Sequence, residues 1–291
     1  MKRIGIVTDS SNVSTKDAEK LGIFSIPLPF YFDEECYYEG ISITRDKFFD
    51  QMSKGDHTFS TSQPSPATLL NAWNIALEKY DKILYFPISS ALSSSYSTAK
   101  SFAEEGEYKN KVFVVDAGTV STPMHRVILD TIDLIEEGLE AEEIKEIIEK
   151  EKDNRTIYIA VPDLSYLKKG GRITPTVATL ATVLNIKPVL KVGSGKLDLV
   201  KKSRGFLKAK KILLDSISND FETKYKKAYN NNELYLMVAT SATEEETNNW
   251  IKQVNELFPK LNVMCDYLSL AVCCHIGPGA LGVGLATKLK K

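Results

Sequence analysis

Short apolar runs alternate with helix-forming segments along most of this chain, and that alternation limits the possible folds more than any other feature. Residues 3–8 are apolar and are closed by Asp9-Ser10-Ser11. A continuous apolar run of this length predicts a strand buried on both faces. Residues 24–28, 82–88 and 111–115 repeat the pattern. Between these runs, residues 15–20 predict a helix capped by Ser14 or Thr15, and residues 44–52 a second. A third opens on Pro66 and runs to Tyr80, and a fourth covers residues 94–103. Repeated strand-then-helix order predicts a mostly parallel sheet with helices on both faces.

Two helical patterns separated by Gly138 complete this half, and the charged stretch 149–155 is the candidate linker. The boundary is placed between an N-terminal α/β domain, 1–153, and a C-terminal one, 154–291. The second half has a different rhythm. Residues 156–161 predict a strand, 163–169 a short helix stopped by Gly170-Gly171, and 175–185 an apolar helix. Residues 187–192 and 197–202 flank Gly193-Ser194-Gly195-Lys196 and predict a hairpin. A long helix over 204–225 follows, then strand 234–239, helix 243–257 and strand 263–267. The glycine-rich stretch 277–286 reads as an edge strand. Strands and hairpins together predict a mixed-sheet α/β domain.

Composition excludes several classes. The formal net charge of −1 leaves no excess of Lys and Arg to neutralise phosphates, so nucleic acid is not an expected partner. No apolar stretch approaches the roughly 20 residues of a membrane span. Met1-Lys2-Arg3 runs directly into the first predicted strand, which leaves no secretory core and points to the cytoplasm. Four cysteines occur with no CxxC, and the histidines are His57, His125 and His275, with no pair at metal spacing. Neither a disulfide framework nor a metal site is expected.

Hydroxyl residues cluster in three places: Asp9-Ser10-Ser11, residues 60–66 and residues 89–95. Two of the clusters follow predicted strands and precede helices, where the carboxyl ends of a parallel sheet receive ligands. Hydroxyls and free amides at helix starts bind an anion without net charge. Capping alone accounts for one hydroxyl per helix and leaves the rest unexplained. Gly277-Pro278-Gly279-Ala280-Leu281-Gly282 matches GxGxxG formally, but it lies too close to the end of the chain for the strand and acidic residue of a dinucleotide site. No GxxxxGK[ST] phosphate loop occurs. His275 sits just before the glycine turn, where a lone histidine is either structural or a donor to a carboxylate or phosphate. Lys168-Lys169-Gly170-Gly171-Arg172 is an ordinary basic helix end that leaves Arg172 able to grip an anion, and Arg204 is similar. An enzyme acting on a small carboxylate or phosphate through Ser93 and His275 is the alternative, although Ser93 lacks a GxSxG elbow.

The ordered segments IGIVTDSS, TSQPSP, SSALSSSY, YLKKGGRI, KPVL and HIGPGALGVG resemble the DegV family, and they extend from Ile4 to Gly284. Some DegV members are fatty-acid-binding subunits of a bacterial fatty acid kinase. The resemblance implies two α/β domains of the EDD fold with the ligand in the cleft between them. It implies a long-chain fatty acid as bound ligand and no further cofactor. Thr61 or Ser62, Ser93 and His275 look like the contacts to its carboxylate, and Arg172 and Arg204 look like residues of partner docking or phosphoryl transfer. Catalysis would reside in a separate ATP-binding kinase subunit, and any membrane contact would be transient and superficial. A lipid sensor with another partner is a third reading. The chain departs from the family pattern at Ser94, Ser95, Ala117, Pro123-Met124 and Thr240-Ser241-Ala242.

Overall fold

The computed structural model describes residues 4–55, 57–172, 174, 186–192 and 197–291. The chain forms two compact units, Met1–Lys152 with Ser269–Ala271 and Leu289–Lys291, and Asp153–Leu268 with Val272–Lys288.

The first unit is built on a four-stranded parallel sheet of order β2-β1-β6-β7, comprising β1 (Ile4–Asp9), β2 (Phe24–Ile26), β6 (Lys82–Phe86) and β7 (Val112–Val114). Alternating side chains divide between two cores. Ile4, Ile6, Leu84 and Phe86 pack with α5 (Thr122–Glu136) and α6 (Ala141–Lys150). Val7, Ile83 and Tyr85 pack with α3 (Pro66–Leu77) and α4 (Ser95–Ala103). Local chemistry sets the helix starts: Ser14 accepts from the Asp17 amide ahead of α1 (Thr15–Leu21), Thr44 from Lys47 ahead of α2 (Arg45–Ser53), and Ser65 from Thr68 ahead of α3.

The expected strands are joined by a three-stranded antiparallel sheet, β4-β3-β5, made of β3 (Phe30–Phe32), β4 (Glu35–Tyr37) and β5 (Phe59–Thr61). Its rings form an aromatic cluster in which Phe30, Phe32 and Phe59 meet Phe48 of α2. Asp33 holds its turn by accepting from the Thr58 amide, at 2.9 Å, and pairing with His57 at 2.7 Å. His57 therefore has a structural role.

The second unit is a six-stranded mixed sheet of order β10-β9-β8-β13-β11-β12. Its strands are β8 (Arg155–Ala160), β9 (Ile186–Val192), β10 (Leu197–Arg204), β11 (Leu234–Thr240), β12 (Val263–Tyr267) and β13 (Leu281–Thr287). β9 and β10 pair antiparallel, with Leu197 opposite Val192. Residues 193–196, expected to turn the hairpin, lie outside the described residues, as does the expected helix over 175–185. The long helix α8 (Phe206–Asp220) continues through a π-helical turn, Phe221–Tyr225, into α9 (Lys226–Asn230). Ala209, Leu213 and Ile217 of α8 join Trp250 and Val254 of α10 (Glu244–Leu257) on one face of the sheet.

One expectation is overturned. The glycine-rich final strand is not an edge: β13 lies between β8 and β11, bonded antiparallel to both, and is almost wholly buried. The glycines are what permit this position. A Cβ on Gly282 would come within 2.9 Å of the Ala239 carbonyl, and one on Gly284 within 2.7 Å of the Thr156 carbonyl. Glycine weakens a strand by propensity, but here it admits two flanking backbones at close range. Trp250 Nε1 donates to the Gly282 carbonyl at 3.1 Å and fixes α10 across the strand.

Candidate functional site

In the first unit, the chain runs from β1 outward to β2 and later crosses to the other side of β1 to form β6 and β7. The winding of the strand order therefore reverses between the parallel strands β1 and β6, and ligands of doubly wound folds bind beyond the carboxyl ends at such a point. The three hydroxyl clusters behave differently there. Ser10 accepts from the Leu28 amide at 3.0 Å, and Ser11 donates to the buried Asp9 carboxylate. The first cluster is thus consumed internally and knits β1 to its neighbours.

The second and third clusters are tied to each other. Gln63, just past Thr61 and Ser62, accepts from Thr98 Oγ1 of α4 at 3.1 Å. Thr61 ends β5 half-buried, and Ser62 is exposed with its hydroxyl donating to the Gln63 carbonyl at 3.0 Å. Ser93 is half-buried at the start of α4 and accepts from the Ser95 amide at 3.1 Å. Its hydroxyl also lies 2.9 Å from that of Ser95. Ser94, at the cap position, makes no capping bond through its side chain. Two carboxylates hold the loop that carries Ser93. Asp9 accepts from the Ile88 amide at 2.8 Å, and Asp116 accepts from Ser90 Oγ at 2.6 Å.

In the second unit, Arg172 and His275 come together around a glycine. Helix α7 (Ser165–Gly170) ends on Gly171, whose left-handed φ of 68° turns the chain toward Arg172. The Arg172 guanidinium donates to the Gly170 carbonyl. His275 lies on α11 (Leu270–Ile276), with its ring against the Gly170 α-carbon. The contact is reciprocal, because the Tyr166 ring of α7 lies against Gly277 just beyond α11. Burial, and then the nearby Arg172 charge, push the His275 pKa down to about 4. The imidazole is therefore neutral at pH 7 and offers one N–H donor. Arg204 ends the edge strand β10, opposite Ile186, and is exposed.

Sequence reasoning missed the clamp on the glycine turn. Thr240 Oγ1 donates to the Ala280 carbonyl at 2.9 Å, and Ser241 Oγ donates to the Gly277 carbonyl at 2.7 Å while accepting from the Ala280 amide at 2.9 Å. A hydroxyl pair at a strand end was the available signal. Its partner lay some 40 residues away and was not legible.

Fold and local geometry together define a two-unit α/β protein whose first unit carries two linked hydroxyl clusters, one of them beyond the carboxyl ends of a parallel sheet. The chain belongs to the DegV family: the model of that family, described as "Uncharacterised protein, DegV family", matches residues 3–288. A DegV domain-containing protein of Deinococcus radiodurans is 31% identical over 284 residues, covering 97% of this chain and 98% of the relative. A fatty-acid-binding DegV family protein of Thermus thermophilus superposes with a TM-score of 0.85 at 28% identity, over 98% of this chain and 99% of its own. A stearic-acid-binding protein of Eubacterium ventriosum gives 0.86 at 25% identity, over 98% of each. Among the described residues, no helix is long and apolar enough to cross a membrane.

Proposed function

We propose that this protein binds a long-chain fatty acid and presents its carboxylate to a separate ATP-dependent kinase subunit for acyl-phosphate formation. The near-full-length likeness to DegV proteins that bind fatty acids carries the reading. The local chemistry agrees with it. A carboxylate taken out of water needs hydrogen-bond donors, or its burial costs several kcal/mol. Ser93, Thr61 or Ser62, and neutral His275 are the proposed donors. An acyl chain adds about 0.8 kcal/mol for each buried CH₂, so it supplies most of the affinity. In this reading Arg172 and Arg204 serve partner docking or phosphoryl transfer. The chain's lack of a phosphate-binding loop supports placing catalysis in the partner.

The alternative of a Ser93 nucleophile is less well supported. Among the described residues, the Ser93 hydroxyl meets the amide and the hydroxyl of Ser95, and neither is a base able to take its proton. A histidine with a pKa of about 4 is also a poor general base at neutral pH. The test is titration of the purified protein with stearate, beside an assay for turnover of small esters and phosphoesters. Saturable stearate binding, weakened about tenfold or more in Ser93→Ala and without turnover, is expected. Turnover by the isolated chain that Ser93→Ala abolishes would overturn the reading.

A further inference from the structure

Asp9 ends β1 at the point where the winding of the strand order reverses, and its side chain is completely buried. One carboxylate oxygen accepts from the Ser11 amide at 3.1 Å and from the Ser11 hydroxyl. The other accepts from the Ile88 amide at 2.8 Å. Among the described residues no cation neutralises it. Such a group is expensive: desolvation outweighs these three hydrogen bonds and raises its pKa to about 6. Above that pH the ionised form costs the fold stability that the protonated form does not. A buried charge kept at a stability cost, at the ligand-binding end of a sheet, calls for a role that the neutral form does not fill.

The Ile88 amide is the first backbone N–H of the loop that leads from Pro87 through Ser89 and Ser90 to Ser93. We propose that Asp9 is a positioning residue for the ligand: its ionised carboxylate holds the Ile88 amide and so fixes the loop that presents Ser93. This rests on the fatty-acid reading of Ser93. An ionised carboxylate accepts on both oxygens at once, whereas a protonated acid or an asparagine has only one acceptor oxygen for donors on two sides. Losing the charge therefore slackens either the Ser11 side or the Ile88 side. The groups that face Asp9 are Ser11 on its own turn, the Ile88 amide beyond β6, and the Tyr85 phenol of β6. Tyr85 is raised well above its ordinary value and stays neutral throughout the range concerned. Asp116 holds the same loop further along, through Ser90.

The experiment compares wild type with Asp9→Asn from pH 5 to pH 8, with stearate as the probe. It reads stearate affinity, melting temperature and amide hydrogen exchange of peptide 88–95, corrected for intrinsic exchange. At pH 8, Asp9→Asn is expected to melt higher, yet bind stearate about tenfold more weakly and exchange peptide 88–95 faster. The two affinity curves converge as pH falls through about 6, the pKa of Asp9. Titration of the ligand's own carboxyl enters both curves and cancels. A purely structural role would lower stability and affinity together at every pH; that result, or unchanged affinity and exchange, overturns the proposal. If wild type takes up no stearate, the fatty-acid reading fails, and unchanged exchange in peptide 88–95 would then separately overturn the anchoring. If the variant does not fold, wild-type exchange alone decides: peptide 88–95 must open more at pH 5 than at pH 8, and equal protection refutes the role.

Discussion

Replacing Gly170 with alanine adds one methyl group, and the structure places that methyl inside the space of the His275 ring. Its carbon would stand 3.0 Å from both Cε1 and Cγ, and closer still to Nδ1, where 3.4 Å begins ordinary contact. Gly170 has no positive φ, so alanine meets no backbone strain and gains a little helix propensity. Overpacking of this kind costs about 1–3 kcal/mol, which the propensity gain partly offsets. Stability should therefore fall by roughly 0–2 kcal/mol. Binding should change more. The imidazole must retreat by roughly 1.4 Å to reach ordinary contact, which takes a donor out of the 2.7–3.2 Å range of a hydrogen bond. A hydrogen bond to a charged group contributes roughly 1.5–3 kcal/mol, so stearate affinity should fall about 10- to 100-fold. Isothermal titration of Gly170→Ala, His275→Ala and the double variant with stearate is the assay. The two single variants should lose similar affinity and the double variant no more, because both remove one contact. Wild-type affinity in Gly170→Ala, beside a large loss in His275→Ala, would refute the packing argument. No loss in either would refute the role given to His275.

Three further outcomes follow from the same geometry. The depressed pKa of His275 means that the unfolded chain binds its proton near pH 6.5 and the folded chain only near pH 4. Acidification through that window removes up to about 3 kcal/mol of stability, and His275→Gln should abolish this slope in denaturant titrations at each pH. Asp9 acts with the opposite sign, gaining stability on protonation, so the difference between wild type and the histidine variant is the quantity to compare. Gly284→Ala should lower stability by about 1–3 kcal/mol, read as a fall in melting temperature, because its methyl meets backbone rather than a movable side chain. Arg172→Ala should retain stearate binding yet lose phosphoryl transfer when the kinase partner and ATP are supplied; retained transfer would count against its assigned role.

Strand–helix alternation made the first unit's sheet legible in sequence, since β1, β6 and β7 are runs too apolar to lie anywhere but inside. The cap at Ser14 was readable because a hydroxyl three residues before its amide partner is a local signal, and the caps at Thr44 and Ser65, not named in the sequence reading, follow the same rule. The three-stranded sheet was not readable: Phe30–Phe32 is short, and its partners Glu35–Tyr37 and Phe59–Thr61 carry no alternation. β13 was misplaced at an edge because the glycines that weaken a strand in isolation are what its two neighbours require. Within the site, hydroxyl clustering drew attention to Ser93 and to the segment of Asp9, but not to the hold that Asp9 and Asp116 have on the Ser93 loop. The bond from the Ile88 amide to Asp9 spans 79 residues of sequence, and no local pattern encodes it. The close approach of Gly170 to His275 likewise joins two motifs, YLKKGGRI and HIGPG, whose shared purpose appears only when they are folded together.

The central claim is that this chain holds a fatty acid. Denaturing mass spectrometry of an organic extract from the purified protein tests it most directly. Close to one equivalent of long-chain fatty acid per chain is expected. An extract without fatty acid, together with no thermal shift when stearate is added, would contradict it.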